Sequence, residues 1–194
     1  MPNAYTEFAV GEEYSTELTM LYDGLQQTEL WKKIGSSCFC AAGFISLAFA
    51  ALGRQVRILP CYAVAIKDEA KFALGYKNLT SAPGQVDGHV VGLVDERILV
   101  DFGLRNVQRY FSPDFPAAAA CEVDRWNLFP NELVLRDGLK IGWRNDWVNP
   151  ATAGVMAYEK SIYETLFNQY QAVMSSRQSV IPPPSRVASR VNEN

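Results

Sequence analysis

Residues 38–52 are apolar almost throughout, and they constrain the fold more than any other part of the chain. Their alanine, phenylalanine, leucine and isoleucine side chains predict a helix that is buried on nearly all sides. Ser36 or Ser37 is placed to cap this helix, and Gly53 is placed to end it. Cys38 therefore opens a buried helix, either as plain core filling or as a nucleophile at the positive end of the helix dipole.

The hydrophobic period changes after this helix from helical to alternating, which indicates strands. We predict strands at residues 55–66, 89–94, 98–102, 132–136 and 139–143. Pro60 marks a bulge or an edge, and Asp137 with Gly138 is the strongest hairpin signal in the sequence. Residues 72–76 and 107–111 are candidates for further short strands. The alanines at 117–120 predict a short helix or packed coil within an irregular segment.

Amphipathic patterns predict two more helices, at residues 15–33 and 153–174. The order is then helix, helix, a run of antiparallel strands and a closing helix, which is typical of the α+β class. The length of 194 residues fits one domain, which we predict at residues 1–174. Residues 175–194 include three consecutive prolines and predict a disordered or extended tail.

The composition argues against several kinds of partner. A net charge of -3, without a basic excess, gives no indication of nucleic-acid binding. No run of apolar residues reaches the length of a transmembrane helix, so we expect no membrane association. The first residues do not read as a signal peptide, so we expect a cytoplasmic protein with reduced thiols. The oligomeric state stays open.

The four cysteines do not have the spacing of a metal site. Cys38 and Cys40 form one close pair, whereas Cys61 and Cys121 stand alone. Structural zinc sites favour two closely spaced pairs, so we expect no metal. The compact chain shows no obvious site for a large acyl-carrying cofactor, so we expect no cofactor either. We expect Cys61 and Cys121 to be core or loop thiols. His89 is the only histidine, so any cysteine–histidine chemistry within one chain must use it.

Three residues form a candidate catalytic set. Cys38 lies where a helix N-terminus favours the thiolate. His89 opens a strand, and Asp101 interrupts an apolar strand, where a carboxylate needs a cation or a donor. A loop of odd length, for instance Val94-Asp95-Glu96, would put His89 and Asp101 on one face as direct partners, about 5 Å apart between Cβ atoms. A two-residue loop would put them on opposite faces.

The roles follow from the chemistry of a nucleophile–base–acid triad. Cys38 attacks an acyl carbon, His89 takes its proton, and Asp101 fixes the histidine tautomer and stabilises the imidazolium. The backbone N–H of Cys38 is one candidate oxyanion donor. Gln26, Gln27 and Trp31 are candidates for a second donor. Cys40 is the rival nucleophile, but a helix turns it about 200° away from Cys38, so both cannot serve one histidine.

Two motifs resemble those of a known group of enzymes. The pattern Cys38-Phe39-x3-Gly43-x8-Leu52-Gly53-x2-Val56-Arg57 resembles the nucleophile helix of arylamine N-acetyltransferases. The strand from His89 and the sequence Asp101-Phe102-Gly103-Leu104 resemble their histidine-to-aspartate hairpin. The wider group is the transglutaminase-like, papain-related superfamily, and the resemblance covers roughly residues 31–110. It implies a papain-like core and a Cys-His-Asp triad at Cys38, His89 and Asp101.

The sequence therefore predicts an acyl-transfer enzyme that works through a thioester on a peptide, amide or small acyl substrate. The acceptor is water in a peptidase or amidase, which we favour, or an amine in a transglutaminase-like enzyme. Two alternatives stay open: a reduced acetyl-CoA-dependent N-acetyltransferase and a non-catalytic binding module on the same fold. Trp143 and Trp147 are read as packing residues, or as a cleft wall for an apolar or aromatic acyl substrate.

Overall fold

The computed structural model describes residues 5–35, 37–77, 88–124 and 128–178. The protein is a mixed α+β structure. In the described residues the helices are α1 (Glu12–Gln27), α2 (Glu29–Ile34), α3 (Cys38–Ala51), α4 (Arg105–Tyr110), α5 (Thr152–Tyr158) and α6 (Lys160–Gln178). The strands there are β1 (Thr6–Ala9), β2 (Val56–Lys67), β3 (Ala70–Leu74), β4 (His89–Val94), β5 (Ile98–Asp101), β6 (Ala118–Glu122), β7 (Asn131–Val134) and β8 (Lys140–Arg144).

The eight strands form one mixed sheet in the order β1-β6-β5-β4-β2-β8-β7, and β3 also pairs with β2. The β1–β6 pair is parallel, whereas the other pairs are antiparallel. The sheet curves until it is nearly closed. The amide of Asn131 in β7 donates to the sulfur of Cys121 in β6 at 3.0 Å. Arg136, just after β7, lies 4.0 Å from the ring centre of Tyr5, just before β1.

Alternate residues of β4 and β5 face two different cores. Val94, Ile98 and Val100 pack with the helical core, which α1, α3 and α6 cover. Val91, Leu93 and Leu99 point to the other side, into a second core inside the curved sheet. The odd-numbered residues of this hairpin, His89 and Asp101 among them, therefore belong to the inner side.

Helix α3 confirms the prediction of a buried helix. It begins at Cys38, and the Ser37 hydroxyl accepts a hydrogen bond from the backbone N–H of Cys40 at 3.2 Å. Most of its residues between Phe39 and Phe49 are buried. On one side it packs on the sheet, and on the other the Phe44 ring meets the Tyr170 ring edge-to-face at 5.3 Å. The nucleophile candidate thus stands at the end of the most tightly enclosed helix.

Strand β2 changes partners along its length. Its first half pairs with β4, and its second half pairs with β3 and β8. Pro60 lies in the first half, where β4 is its only strand partner among the described residues. A proline, which has no N–H to donate, is tolerated at such a one-sided position. The edge interpretation of Pro60 fits this position.

Two predicted helices are each divided in the structure. The segment at residues 15–33 becomes α1 and α2, because Thr28 leaves the helical conformation and its hydroxyl accepts from the Trp31 N–H. The segment at residues 153–174 becomes α5 and α6, which meet at Glu159. Helix α6 continues to Gln178, so the first residues of the predicted tail are helical.

One strand assignment was wrong and two strands were missed. Residues 107–111 lie largely in α4 rather than in a strand. The alanines at 117–120 form most of β6 between β1 and β5, and β1 itself was not predicted. Alanine favours helices, but a fully buried strand with neighbours on both sides needs small side chains more than it needs strand propensity.

The hairpin predicted at Asp137 and Gly138 is confirmed. Strands β7 and β8 flank it, and both residues have positive φ angles, of 57° and 74°. The short strand predicted at residues 72–76 overlaps β3, which begins at Ala70 and ends at Leu74. Most of the predicted polar connection at 77–88 and most of the tail lie outside the described residues. No helix in the described ranges is long and apolar enough to cross a bilayer.

We expect Gly43→Ala to destabilise the protein by about 1–3 kcal/mol. A Cβ at this position would lie 2.2–2.3 Å from two atoms of the Tyr163 ring, so α3 and α6 would have to separate. Gly154→Ala is the matched helical control, because its Cβ would meet nothing within 4 Å. Urea denaturation of both variants measures the difference. Equal stability of Gly43→Ala and wild type would contradict close packing of these helices.

Candidate active site

Asp101, at the end of β5, is a buried carboxylate with three hydrogen-bond donors. One oxygen, Oδ2, accepts from His89 Nε2 at 2.6 Å and from Trp143 Nε1 at 2.8 Å. The other, Oδ1, accepts from the backbone N–H of Gly103 at 2.8 Å. Asp101 is 2% exposed. The sequence predicted that Asp101 needs a partner, and a histidine, an indole and a backbone amide fill this role.

His89 is fully buried at the start of β4, and its ring has two different environments. Nε2 is bonded to Asp101, whereas Nδ1 is buried and has no hydrogen-bond partner in the described part of the chain. Burial disfavours the charged ring, but the charges of Asp101 and Cys38 outweigh it and raise the pKa of His89 to about 10. Because Nε2 is already engaged, Nδ1 is the nitrogen left for Cys38.

Cys38 is partly exposed at the first turn of α3. Its thiol donates a long hydrogen bond, 3.7 Å, to the carbonyl of Gly88, the residue before the histidine. The sulfur is close enough to His89 to contribute to the pKa of the imidazole. The structure thus brings Cys38, His89 and Asp101 close together.

The turn between β4 and β5 determines that His89 and Asp101 share a face. Val94 pairs with Ile98, so the loop has the odd length of three residues. The predicted direct pairing of position 89 with position 101 was wrong, because the register instead pairs Gly92 with Val100. Asp101 therefore lies diagonally from His89, and the 2.6 Å hydrogen bond spans this diagonal.

Gly103 allows the chain after β5 to pass close to Cys38. A Cβ at Gly103 would lie 2.7 Å from Cys38 Cβ, 2.9 Å from its Cα and 3.2 Å from an oxygen of Asp101. These atoms belong to backbone or short side chains and cannot easily move away. The absence of a side chain at Gly103 is therefore a condition for the approach of the cysteine to the carboxylate.

The other three cysteines, all in the described residues, are buried thiols. Burial and a 2.8 Å hydrogen bond to Glu159 raise the pKa of Cys40 to about 12, so the rival nucleophile is held as a thiol away from His89. Burial, with the charges of Asp101 and Cys38, raises the pKa of Cys61 well above its ordinary value. Burial raises the pKa of Cys121 to about 11.

The candidates for a second oxyanion donor fare differently. Trp31 is fully buried in the helical core, where it cannot meet a substrate. The amide of Gln27 donates to a backbone carbonyl within α1. Gln26 accepts from Arg105, and Arg105 also donates to the carbonyl of Gly35 at 3.3 Å, close before Cys38. Gln26 is thus linked to the turn that positions the cysteine, whereas Gln27 and Trp31 are not candidates.

Sequence reasoning missed two residues of the site, Trp143 and Gly103. Trp143 was interpreted as a packing residue or cleft wall, yet its indole N–H holds the carboxylate. Two signals pointed to it: a buried tryptophan needs an acceptor, and Asp101 needed more donors than one histidine. Trp147 lies elsewhere, edge-to-face with Tyr76 at 5.4 Å.

The chain matches no known protein family, no curated protein and no solved structure in the three comparisons made. Membership in the transglutaminase-like or papain-related group therefore stays a prediction. In the part of the chain that the structure describes, no three histidine, cysteine or acidic side chains are grouped as metal ligands.

We expect the His89 ring to remain protonated well above neutral pH and to lose its proton near pH 10. It is the single histidine, so its ring proton gives one unambiguous NMR titration curve. In Asp101→Asn the midpoint of the His89 titration should fall. Burial lowers the pKa of His89, and the negative charge of Asp101, which opposes this effect, is removed. Cys38→Ser should lower it as well, by a smaller amount. The same midpoint in all three proteins would contradict the arrangement.

The raised pKa of His89 also predicts how the free energy of unfolding changes with pH. A histidine whose folded-state pKa is raised stabilises the fold fully below its unfolded pKa of about 6.5. That contribution is lost as pH rises toward about 10. The free energy of unfolding of the wild type should therefore fall across this window, and that of Asp101→Asn should fall less.

Proposed function

We propose that this chain is a cysteine-nucleophile acyl-transfer enzyme with a papain-like arrangement, working through a thioester on Cys38. The observation that carries the proposal is the buried His89, whose Nε2 is hydrogen-bonded to Asp101 at 2.6 Å while its Nδ1 is left for a partly exposed cysteine. A histidine held between a carboxylate and a thiol is the arrangement that nucleophilic catalysis requires.

In the first step, the Cys38 thiolate attacks the acyl carbon and forms a carbon–sulfur bond. The imidazolium of His89 gives its proton to the leaving amine or alcohol as the bond to that group breaks. The backbone N–H of Cys38 has no intrahelical acceptor at the first helical position, and it can donate to the oxyanion. Asp101 keeps the ring oriented throughout.

In the second step, the loss of the thiolate changes the histidine. Cys38 is one of the two residues whose charges raise the pKa of His89, and a thioester has no such charge. The pKa of His89 therefore falls on acylation, and Nδ1 becomes able to accept a proton from water. Hydroxide adds to the thioester carbon, the carbon–sulfur bond breaks, and the acid and the Cys38 thiolate are released. We take water as the acceptor, so the proposed activity is that of a peptidase or amidase.

Iodoacetamide should alkylate Cys38 at pH 6 at least about tenfold faster in wild type than in His89→Gln, because His89 is the acid–base partner that activates the sulfur in the proposed mechanism. Mass spectrometry identifies the modified cysteine. Cys40, Cys61 and Cys121 are buried thiols and serve as internal controls. An ordinary, slow reaction at Cys38 in both proteins would instead favour the non-catalytic binding module.

Trp143→Phe should lower kcat by about tenfold or more with little change in KM, since a hydrogen bond to a charged group contributes about 1.5–3 kcal/mol. The substitution keeps most of the ring and removes the N–H that binds Asp101. Trp31→Phe is the matched control for ring loss, because Trp31 is equally buried but lies in the helical core. Hydrolysis of p-nitrophenyl acetate provides the assay. Equal losses in both variants would show that Trp143 only packs.

A further inference from the structure

An apolar cluster lies beside Cys38 and has no role in the steps above. Phe39 and Ala42 of α3 and Val90 of β4 form its buried centre. Partly exposed apolar side chains pack against this centre: Cys38 itself, Ile58 of β2, and Val155 and Met156 of α5. The partly exposed side chains of this cluster therefore lie in the same apolar environment as Cys38.

Cys38 has both polar and apolar neighbours. The polar neighbours are the carbonyl of Gly88 and the ring of His89. The leaving group has to receive its proton from His89, so it lies beside that ring. The acyl group is bonded to the same sulfur and has to point away from the leaving group. The apolar cluster to which Cys38 belongs offers it a surface.

The outer face of β2 continues this surface. Alternate residues of a strand share a face, so Ile58, Pro60 and Tyr62 form a row of about 13 Å. Pro60 is exposed, and Tyr62 ends the row against Tyr76, with 4.6 Å between ring centres. At this far end the Tyr62 hydroxyl donates a hydrogen bond to the carboxylate of Asp146 at 2.7 Å.

We propose that the site selects acyl donors whose acyl group is uncharged and apolar, and that Ile58, Val155 and Met156 form the wall that recognises it. This inference rests on the proposed function, because it needs an acyl group on Cys38. The substrate class is then an ester, thioester or amide of an aliphatic or aromatic acid. Burial of such a chain lowers the free energy of the acylation transition state, whereas burial of a charge raises it.

The test is a series of p-nitrophenyl esters of acetate, butyrate and hexanoate, together with the anionic half-ester of glutarate. We expect kcat/KM to rise by up to about fourfold for each methylene that enters the pocket. The glutarate half-ester should react more slowly than butyrate. Cys38→Ser gives the background rate, and mass spectrometry of the acylated protein shows which residue carries the acyl group.

Two substitutions on α5 separate the wall from the rest of the helix. Met156→Lys should invert the preference so that the glutarate half-ester reacts faster than hexanoate, a gain that misfolding cannot produce. Tyr158→Lys is the matched control, because Tyr158 is 80% exposed on the same helix. Met156→Ala, the milder variant, should reduce the gain per methylene.

The outcomes distinguish the two proposals. If Cys38 is acylated but chain length has no effect, or the glutarate half-ester is preferred by wild type, the inference about the apolar wall is overturned and the proposed function stands. Equal selectivity of Met156→Lys and Tyr158→Lys overturns it too. If no ester acylates Cys38 and its alkylation is slow, both proposals fall together.

Discussion

The buried carboxylate of Asp101 is the interaction on which the rest of the site depends. A charge removed from water costs several kcal/mol unless paired and hydrogen-bonded. Its three donors come from β4, from β8 and from the chain after β5. The carboxylate therefore has all of its hydrogen bonds only when the sheet is correctly assembled. The inner core can hold this pair because the opposite charges of His89 and Asp101 largely cancel.

Close approach between backbone segments also holds the site together. Gly103 passes within contact distance of Cys38, and Gly88 offers its carbonyl to the thiol. Gly75 lies against the backbone of Gly88 and His89, where a Cβ would meet atoms at 2.6–2.7 Å. Glycines thus bring three chain segments together around one imidazole, and larger side chains would hold them apart.

The sequence was sufficient for the features that depend on local pattern. The apolar run predicted α3 because no other element accepts so many large apolar side chains on every face, and the alternation predicted the strands that carry His89 and Asp101. An odd number of residues in the loop was enough to place His89 and Asp101 on one face, although the exact pairing of the two strands was not known. The direct pairing failed because the three-residue turn lies at 95–97, one position later than the loop at 94–96 that this pairing needs, and local pattern does not specify that position.

The remaining features depend on contacts between distant segments. The alanines of β6 have no strand preference of their own, and they become a strand because β1 and β5 lie on either side. Trp143 lies in β8, which pairs with β2, a strand far from it in the sequence. This pairing brings the indole of Trp143 to Asp101. Helix α4 forms where the chain leaves the site, and its first residue, Arg105, binds back to Gly35.

The turn at residues 95–97 has a consequence for how the protein tolerates change. Asp95 and Glu96 both have positive φ angles there, and Asp95 is held by Tyr14, Arg54 and the backbone of Gln55. Surface turns usually accept insertions and deletions with little effect. Here one added or deleted residue would rotate the histidine and the aspartate to opposite faces of the sheet. The length of this surface turn is therefore restricted by the candidate site, although the turn is remote from the thiol.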